Sequence, residues 1–170
     1  SGIIILNSDD PKQIAQVGDY DSVYTFSESQ ETAVNVKLTE TQPFLSVALK
    51  NTNINTHLVG AYNFHNIAAA LTTGTYYKLT PLQLKKGIEA YVPANNRSQI
   101  IQQNSNEILL DAYNANPSSM DVALENFKGI ENPHKLAILG DMFELGSTSA
   151  EEHLETVKKA ISMKGCNFYF

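Results

Sequence analysis

The sequence predicts an α/β protein with two domains, residues 1–97 and residues 98–170. Strand-like apolar runs fill the first half of the chain and give way to an alanine-rich helical stretch. A Pro- and Asn-containing segment at residues 92–97 then interrupts the pattern, as expected of a linker. After it, strands and helices alternate to the last residue, which is typical of a parallel sheet with right-handed crossovers.

The first domain is predicted to begin with a buried strand at residues 3–7, a short apolar run that is closed by a turn. Because a domain rarely opens on a central strand, we expect this chain to be part of a longer protein. Further strand-like stretches lie between segments rich in Ser, Thr, Asn and Gly, at residues 23–26, 33–38, 44–49 and 54–59.

Helices are predicted after these strands. Residues 63–77 are rich in alanine, which favours a helix packed closely against a sheet. A second helix follows, with Thr80 as its N-cap and Pro81 at its first position. In the second domain the predicted elements alternate as strand, helix, strand, helix and strand, at residues 108–110, 117–127, 136–139, 150–163 and 167–170.

Composition and charge exclude several classes of protein. The net charge is -6 at pH 7 and Lys and Arg form no run, so the sequence lacks the basic patch of a nucleic-acid-binding protein. No apolar run approaches the roughly 20 residues of a membrane span, so we expect a cytoplasmic protein. The single cysteine, Cys166, predicts neither a disulfide nor a zinc site, and packing is its simplest role.

Asp111 directly follows the predicted strand at residues 108–110, and ligands in open α/β sheets bind beyond such strand ends. Its carboxylate is suited to accept hydrogen bonds from ribose hydroxyls, although a solvated turn aspartate is an equal alternative. The next helix begins with Asn116 as N-cap. Capping leaves Tyr113 and Asn114 unexplained, and a helix N-terminus beside a strand end also suits an anionic group.

The segment at residues 139–146 follows the next strand and brings Asp141 and Glu144 to the same edge of the predicted sheet. Binding residues concentrate on loops held by a rigid scaffold, which favours a substrate loop. An ordinary connection, with Ser149 and Glu152 forming a capping box for the next helix, is an equal alternative.

In the first domain, Asn63 and Asn66 share one helical face if the helix begins there. A carboxamide can both donate to and accept from an adenine edge. His65, between them, has no second metal ligand at helical spacing, so a half-buried histidine is the preferred interpretation. Arg97, the only arginine, could reach phosphate oxygens in bidentate fashion, with surface solvation as the alternative.

Four segments in this order resemble the Mur ligase family, and most closely its branch that adds D-alanyl-D-alanine. They are VGAYNFHNIAAA, NNRSQ, DAYNANPSSM and LGDMFELG with His153 downstream. The resemblance implies that residues 1–97 are the back half of a central ATPase domain. Residues 98–170 would then be the front of a Rossmann-like parallel α/β C-terminal domain, with ATP between the two domains.

The resemblance also implies a reaction. In such ligases ATP phosphorylates the terminal carboxylate of UDP-N-acetylmuramoyl-tripeptide, and the amine of D-alanyl-D-alanine then attacks the acyl phosphate. The resemblance implies that the ligands of magnesium (Mg2+) lie upstream of this chain, in the front of the central domain. The sequence also contains no GxxxxGK[ST] phosphate loop. We therefore expect no catalytic residue within the chain and no ATP turnover by the chain alone.

Site residues follow from the resemblance position by position. Asn63 and Asn66 would contact the nucleotide near its adenine, Arg97 a phosphate or the ribose, and Asp111 the ribose. The residues expected to face the incoming dipeptide are Tyr113, Asn114, Asn116, Asp141 and Glu144. At Tyr62 the family more often has histidine, which leaves a contact from that side chain unpredicted.

Two other functions stay open. The first is another Mur-type ligase with a different amino-acid acceptor, against which DAYNANP argues. The second is a non-catalytic nucleotide-binding module that kept the α/β domain without an ATPase half. An upstream phosphate loop would decide between this module and a ligase.

Overall fold

The computed structural model describes residues 2–94 and 96–170, and the chain divides into two compact units, Ser1–Pro93 and Ala94–Phe170. Each unit combines helices with a sheet that contains parallel strands, so the predicted α/β class is confirmed. Within the described ranges, no helix has the length and apolar character that crossing a bilayer requires.

The first unit is built on a five-stranded sheet whose strand order follows the chain. Its strands are β1 (Ile4–Asn7), β2 (Val23–Ser27), β3 (Val34–Glu40), β4 (Ser46–Leu49) and β5 (Thr52–Asn55). Strands β1, β2 and β3 are parallel, whereas β3, β4 and β5 pair in antiparallel fashion. The parallel part brings the carboxyl ends of β1 and β2 to one edge, which is where α/β proteins bind ligands.

The α-helices in the described part of this unit are α1 (Pro11–Val17), α2 (Phe64–Tyr76) and α3 (Pro81–Glu89). Helix α2 forms much of the core, because Ile67 and Leu71 are fully buried against sheet residues such as Val36 and Ile54. Its apolar stripe follows helical spacing, so one face is fixed on the sheet. The predicted start of α3 is confirmed, since the Thr80 hydroxyl accepts a hydrogen bond from the Gln83 N–H.

Two features of the first unit differ from the sequence prediction. Helix α1 was not predicted, because residues 8–11 were interpreted as a turn. In the structure the Asp10 carboxylate caps α1 by accepting from the backbone N–H groups of Lys12 and Gln13. The strand predicted at residues 54–59 was also wrong in its bounds, because β5 begins at Thr52 and ends at Asn55.

The described residues of the second unit form two separate two-stranded sheets. An antiparallel hairpin joins β6 (Gln99–Gln103) to β7 (Asn106–Leu110), and β8 (Lys135–Ile138) pairs in parallel with β9 (Cys166–Tyr169). Helices α4 (Pro117–Gly129) and α5 (Ser149–Ile161) contribute Leu124 and Ala160 to a core that also contains Met163, just beyond α5, and Phe168 of β9. Cys166 is partly buried against the same core, which fits its predicted packing role.

Two predictions for this unit were wrong in detail. The strand predicted at residues 108–110 is part of β7, whose described partner is the unpredicted β6 rather than the parallel sheet. The capping box of Ser149 and Glu152, which was the alternative to a substrate loop, does not form. A 3-10 turn at Gly146–Thr148 leads directly into α5 and makes Thr148 the N-cap, with no side-chain capping bond.

Candidate functional site

An open pocket of about 480 Å³ lies where β1 ends and α2 begins. The polar residues of its lining are Asn7, Asp9, Asp10, Gln13, His65 and Asn66. Several apolar side chains complete the lining. This volume falls within the range of small-molecule sites in proteins. The pocket lies at the carboxyl edge of the parallel strands, which is where open α/β sheets bind ligands.

Asn63 and Asn66 lie together at the start of α2, as their spacing predicts. The Asn66 carboxamide donates to the Asn63 side-chain oxygen at 3.2 Å, and the Asn63 carboxamide donates to the Val59 carbonyl at 2.8 Å. Asn63 is buried, whereas Asn66 is exposed and lines the pocket. The structure therefore places Asn66 where a ligand could reach it, with Asn63 behind it as support.

Asn7 is a pocket residue that the sequence interpretation did not name as a site residue. Its backbone N–H donates to the Gln13 side chain at 3.0 Å, and its carboxamide nitrogen lies 3.4 Å from the His65 Nδ1. His65 is exposed at the pocket rather than half-buried. The position of Asn7 at the end of a parallel strand was the signal that could have identified it.

Asp9 organises the loop beyond β2 at the same edge. Its carboxylate accepts from the Ser27 hydroxyl at 2.7 Å and from the Glu28 backbone N–H at 2.6 Å, and it also accepts from the Ser29 hydroxyl. Burial acts to raise the pKa of Asp9, but the hydrogen bonds from Ser29, Ser27 and the backbone outweigh it and lower the pKa to about 2. The pocket edge thus carries a fixed negative charge at neutral pH.

In the second unit, Asp111 holds the segment that contains Arg97. The Asp111 carboxylate accepts from the Ser98 backbone N–H at 3.1 Å, and the Ala112 N–H donates to the Asn96 carbonyl at 2.7 Å. Asn96 and Ser98 both have positive φ, at 57° and 48°. Such backbone costs energy in non-glycine residues and persists only where surrounding contacts impose it.

The guanidinium of Arg97 lies over the ring of Tyr113, with Cζ 3.7 Å from the ring centroid. Both side chains are exposed. The structure thus brings together three residues that the sequence interpretation named separately, Arg97, Asp111 and Tyr113. A cation, a carboxylate and an aromatic face within one surface can bind phosphate, hydroxyl and planar groups respectively.

Asn116 is confirmed as the N-cap of α4. Its side-chain oxygen accepts from the Ser119 backbone N–H at 2.9 Å and from the Ser118 hydroxyl at 2.8 Å. Capping therefore accounts for this residue, and its predicted contact with substrate stays a prediction. Asn114 lies in the exposed segment before the helix and likewise stays a prediction.

The loop at residues 139–146 turns Asp141, Phe143 and Glu144 to solvent and Met142 to the interior. The Met142 backbone N–H donates to the His153 Nε2 at 3.0 Å. Phe143 is 74% exposed and was not predicted as a site residue. In the described ranges, no group of three or more His, Cys, Asp or Glu is arranged to hold a metal ion.

Comparison with known proteins matches both units. Two family models fit the chain, the Mur ligase middle domain over residues 1–74 and the Mur ligase glutamate ligase domain over residues 96–166. A similar curated protein is the UDP-N-acetylmuramoyl-tripeptide--D-alanyl-D-alanine ligase of Bacillus subtilis. It is 34% identical over 100 residues, which are 58% of this chain and 22% of that protein.

Solved structures agree on the fold. MurF from Acinetobacter baumannii superposes with a TM-score of 0.76 at 22% identity, covering 96% of this chain and 37% of that chain. MurF ligase from Thermotoga maritima in complex with ADP has a TM-score of 0.75 at 18% identity, covering 99% and 40% respectively. The chain therefore spans between about a fifth and two fifths of the length of the proteins that it resembles.

Proposed function

This chain belongs to the Mur ligase family, and we propose on that basis that it is part of an ATP-dependent ligase of cytoplasmic peptidoglycan precursor synthesis. The proposed reaction joins D-alanyl-D-alanine to UDP-N-acetylmuramoyl-tripeptide through an acyl phosphate. Residues 1–97 would be the back half of the central domain and residues 98–170 the front of the C-terminal domain. The observation that carries the proposal is the match of two consecutive Mur domains, in their order along the chain.

The pocket in the first unit supports a nucleoside site. Asn66 uses one N–H on Asn63, and its carboxamide has a further donor and an acceptor oxygen for an adenine edge. Asp9 and Asp10 place negative charge in the lining, and this charge repels a triphosphate. We therefore assign this pocket to the adenosine end of ATP rather than to its phosphates.

The cluster in the second unit supports further nucleotide contacts. The Arg97 guanidinium is the cationic group of this surface and suits a phosphate oxygen. The Asp111 carboxylate accepts from Ser98 through one oxygen, and its other oxygen suits a ribose hydroxyl. The proposed dipeptide contacts are Tyr113, Asn114, Asn116, Asp141 and Glu144.

The proposal includes Mg2+ bound to ATP, as the family resemblance implies. The described residues form no metal-binding group of their own, so no step of the reaction is assigned to a metal held by this chain. The phosphate loop is also absent from the sequence. We therefore propose that the chain alone does not turn over ATP and that the activity belongs to the longer protein.

A phosphate-release assay of the full-length protein tests the function. Phosphate should appear only when ATP, UDP-N-acetylmuramoyl-tripeptide and D-alanyl-D-alanine are all present. Phosphate release with a single amino acid in place of the dipeptide would identify the protein as another Mur-type ligase. ADP binding without release under any of these conditions would favour the non-catalytic module.

A matched pair of variants tests the pocket. Asn66→Ala removes the exposed carboxamide at the pocket, and it should raise the KM for ATP about fivefold, the equivalent of one lost hydrogen bond. Asn53→Ala removes an exposed carboxamide from β5, which does not line the pocket, and should leave this KM unchanged. If both variants changed the KM for ATP equally, the pocket would not be part of the nucleotide site.

A further inference from the structure

We infer that His153 is a positioning residue that fixes the loop at residues 139–146 in the conformation that presents Asp141, Phe143 and Glu144 to the acceptor amine substrate. The inference rests on the proposed function for the identity of that substrate. The fixing of the loop itself rests only on contacts within the second unit.

The two ring nitrogens of His153 have different partners, and these partners determine the tautomer. Nδ1 lies 2.7 Å from the Ser149 carbonyl oxygen, which can only accept, so Nδ1 carries the proton. Nε2 lies 3.0 Å from the Met142 backbone nitrogen, which can only donate, so Nε2 is the acceptor. The neutral imidazole therefore links the first turn of α5 to the middle of the loop.

The Met142 side chain provides a second anchor at the same point. It is 4% exposed and lines a small cavity of about 70 Å³ together with Met120, His153 and Phe170. Side chain and backbone of Met142 are thus both held on the inner side of the loop. Loss of the His153 acceptor would leave the Met142 N–H without its partner, which is costly in a partly buried position.

The anchored loop presents the side chains of Asp141 and Glu144 to solvent on its outer side. The Asp141 side chain is 81% exposed, and Glu144 has a φ of 63° with its side chain in solvent. A glutamate gains nothing locally from this backbone conformation, so contacts on either side must impose it. Those contacts are the Met142 bond to His153 and the Thr148 backbone bond to the Leu145 carbonyl at 3.3 Å.

Two substitutions separate the roles of the ring nitrogens. His153→Gln can place an acceptor near the Nε2 position and should keep the bond from Met142. His153→Asn is too short to reach Met142 but can still donate to the Ser149 carbonyl. His134→Asn, at an exposed histidine of the same unit, is the matched control.

Hydrogen exchange of the Met142 amide in the full-length protein is the first measurement. His153→Asn should accelerate exchange about tenfold, whereas His153→Gln and His134→Asn should stay close to wild type. Imidazole nitrogen shifts of the unsubstituted protein give a second reading that does not depend on the folding of a variant. A proton on Nε2 of His153, or unchanged exchange in His153→Asn, would show that His153 does not accept the Met142 N–H and does not fix the loop.

Ligase kinetics then test the positioning role. His153→Asn should raise the KM for D-alanyl-D-alanine about tenfold and leave the KM for ATP within about twofold, because only the loop has moved. His153→Gln should restore the wild-type value. An equal rise in both KM values would mean general destabilisation and would overturn positioning. If the unsubstituted protein forms no amide bond, the proposed function is wrong, and so is the role of His153 in positioning a substrate. Exchange of the Met142 amide would still show whether His153 fixes the loop.

Discussion

The guanidinium of Arg97 stacks on the ring of Tyr113, with Cζ 3.7 Å from the ring centroid. The Ser98 N–H donates to the Asp111 carboxylate and the Ala112 N–H donates to the Asn96 carbonyl, so the residues on either side of Arg97 are held against the end of β7. Backbone and side chain of this arginine are therefore both oriented before any ligand binds. Such preorganisation reduces the ordering cost that a long, flexible cation otherwise contributes to binding.

Removal of the aromatic face should weaken nucleotide use. In the full-length protein we expect Tyr113→Leu to raise the KM for ATP about two- to fivefold, which corresponds to an exposed cation–π contact. Tyr113→Phe keeps the ring and loses only the hydroxyl, so its KM for ATP should resemble that of wild type. The phosphate-release assay measures both variants. A rise in the Phe variant equal to that in the Leu variant would show that the hydroxyl, rather than the stack, matters.

The two roles of Asp111 can be separated by substitution. Asp111→Ala loses both the acceptor for the Ser98 N–H and the charge, and it should raise the KM for ATP about tenfold. Asp111→Asn retains an acceptor for Ser98, so it should keep wild-type thermal stability and show a smaller rise in the same KM. If the Asn variant binds ATP like wild type, the carboxylate charge has no role in nucleotide binding.

Asp9 should make the stability of the first unit depend on pH. Its pKa is about 2 in the folded protein, below the ordinary value of 3.8 for aspartate, so its contribution is complete above pH 3.8 and is lost as the pH falls through 2. Asp9→Asn should therefore lower the free energy of unfolding by at most about 2 kcal/mol at pH 7, and by less near pH 2. Urea denaturation at both pH values checks this prediction.

Asp19→Asn is the control for that experiment, because it neutralises an exposed carboxylate of the same unit. It should change stability little at either pH. The difference in unfolding free energy between wild type and Asp9→Asn should shrink from pH 7 to pH 2. A constant difference would show that the substitution acts through changed packing or hydrogen bonding and not through the charge of Asp9.

The core under α2 should be sensitive to cavity formation. Leu71 is fully buried, and Leu71→Ala should cost about 2 to 5 kcal/mol of unfolding free energy. Leu82 is 73% exposed on α3, and Leu82→Ala should change stability by no more than about 0.5 kcal/mol. Denaturant titration of the two variants compares identical chemical changes in buried and exposed positions. Similar losses would mean that α2 is not packed as described.

Features governed by local chemistry could be predicted from the sequence. The helix starts at Thr80 and Asn116 depend on side chains within three residues, and the structure confirms both. The same signal, Asp10 followed by Pro11, marks the start of α1. It was missed because a short apolar strand followed by polar residues favoured a turn.

Features that depend on distant partners could not be predicted. Strand β6 contains polar residues on both faces, and only its pairing with β7 identifies it as a strand. Asp111 was named for a ligand, but its bond to Ser98 crosses 13 positions of the chain. Asp9 likewise depends on hydroxyls 18 and 20 residues away. Sequence spacing carries no information on such pairs.

The positive φ angles at Asn96 and Ser98 also limit how the sequence around Arg97 can vary. Left-handed backbone is open to glycine, and to asparagine or aspartate at modest cost, but it is unfavourable for β-branched residues. A saturation library screened for ligase activity should therefore retain Gly, Asn and Asp at positions 96 and 98 and should lose Val, Ile and Thr. The surroundings of the arginine are restricted by backbone geometry, independently of any side chain that touches a ligand.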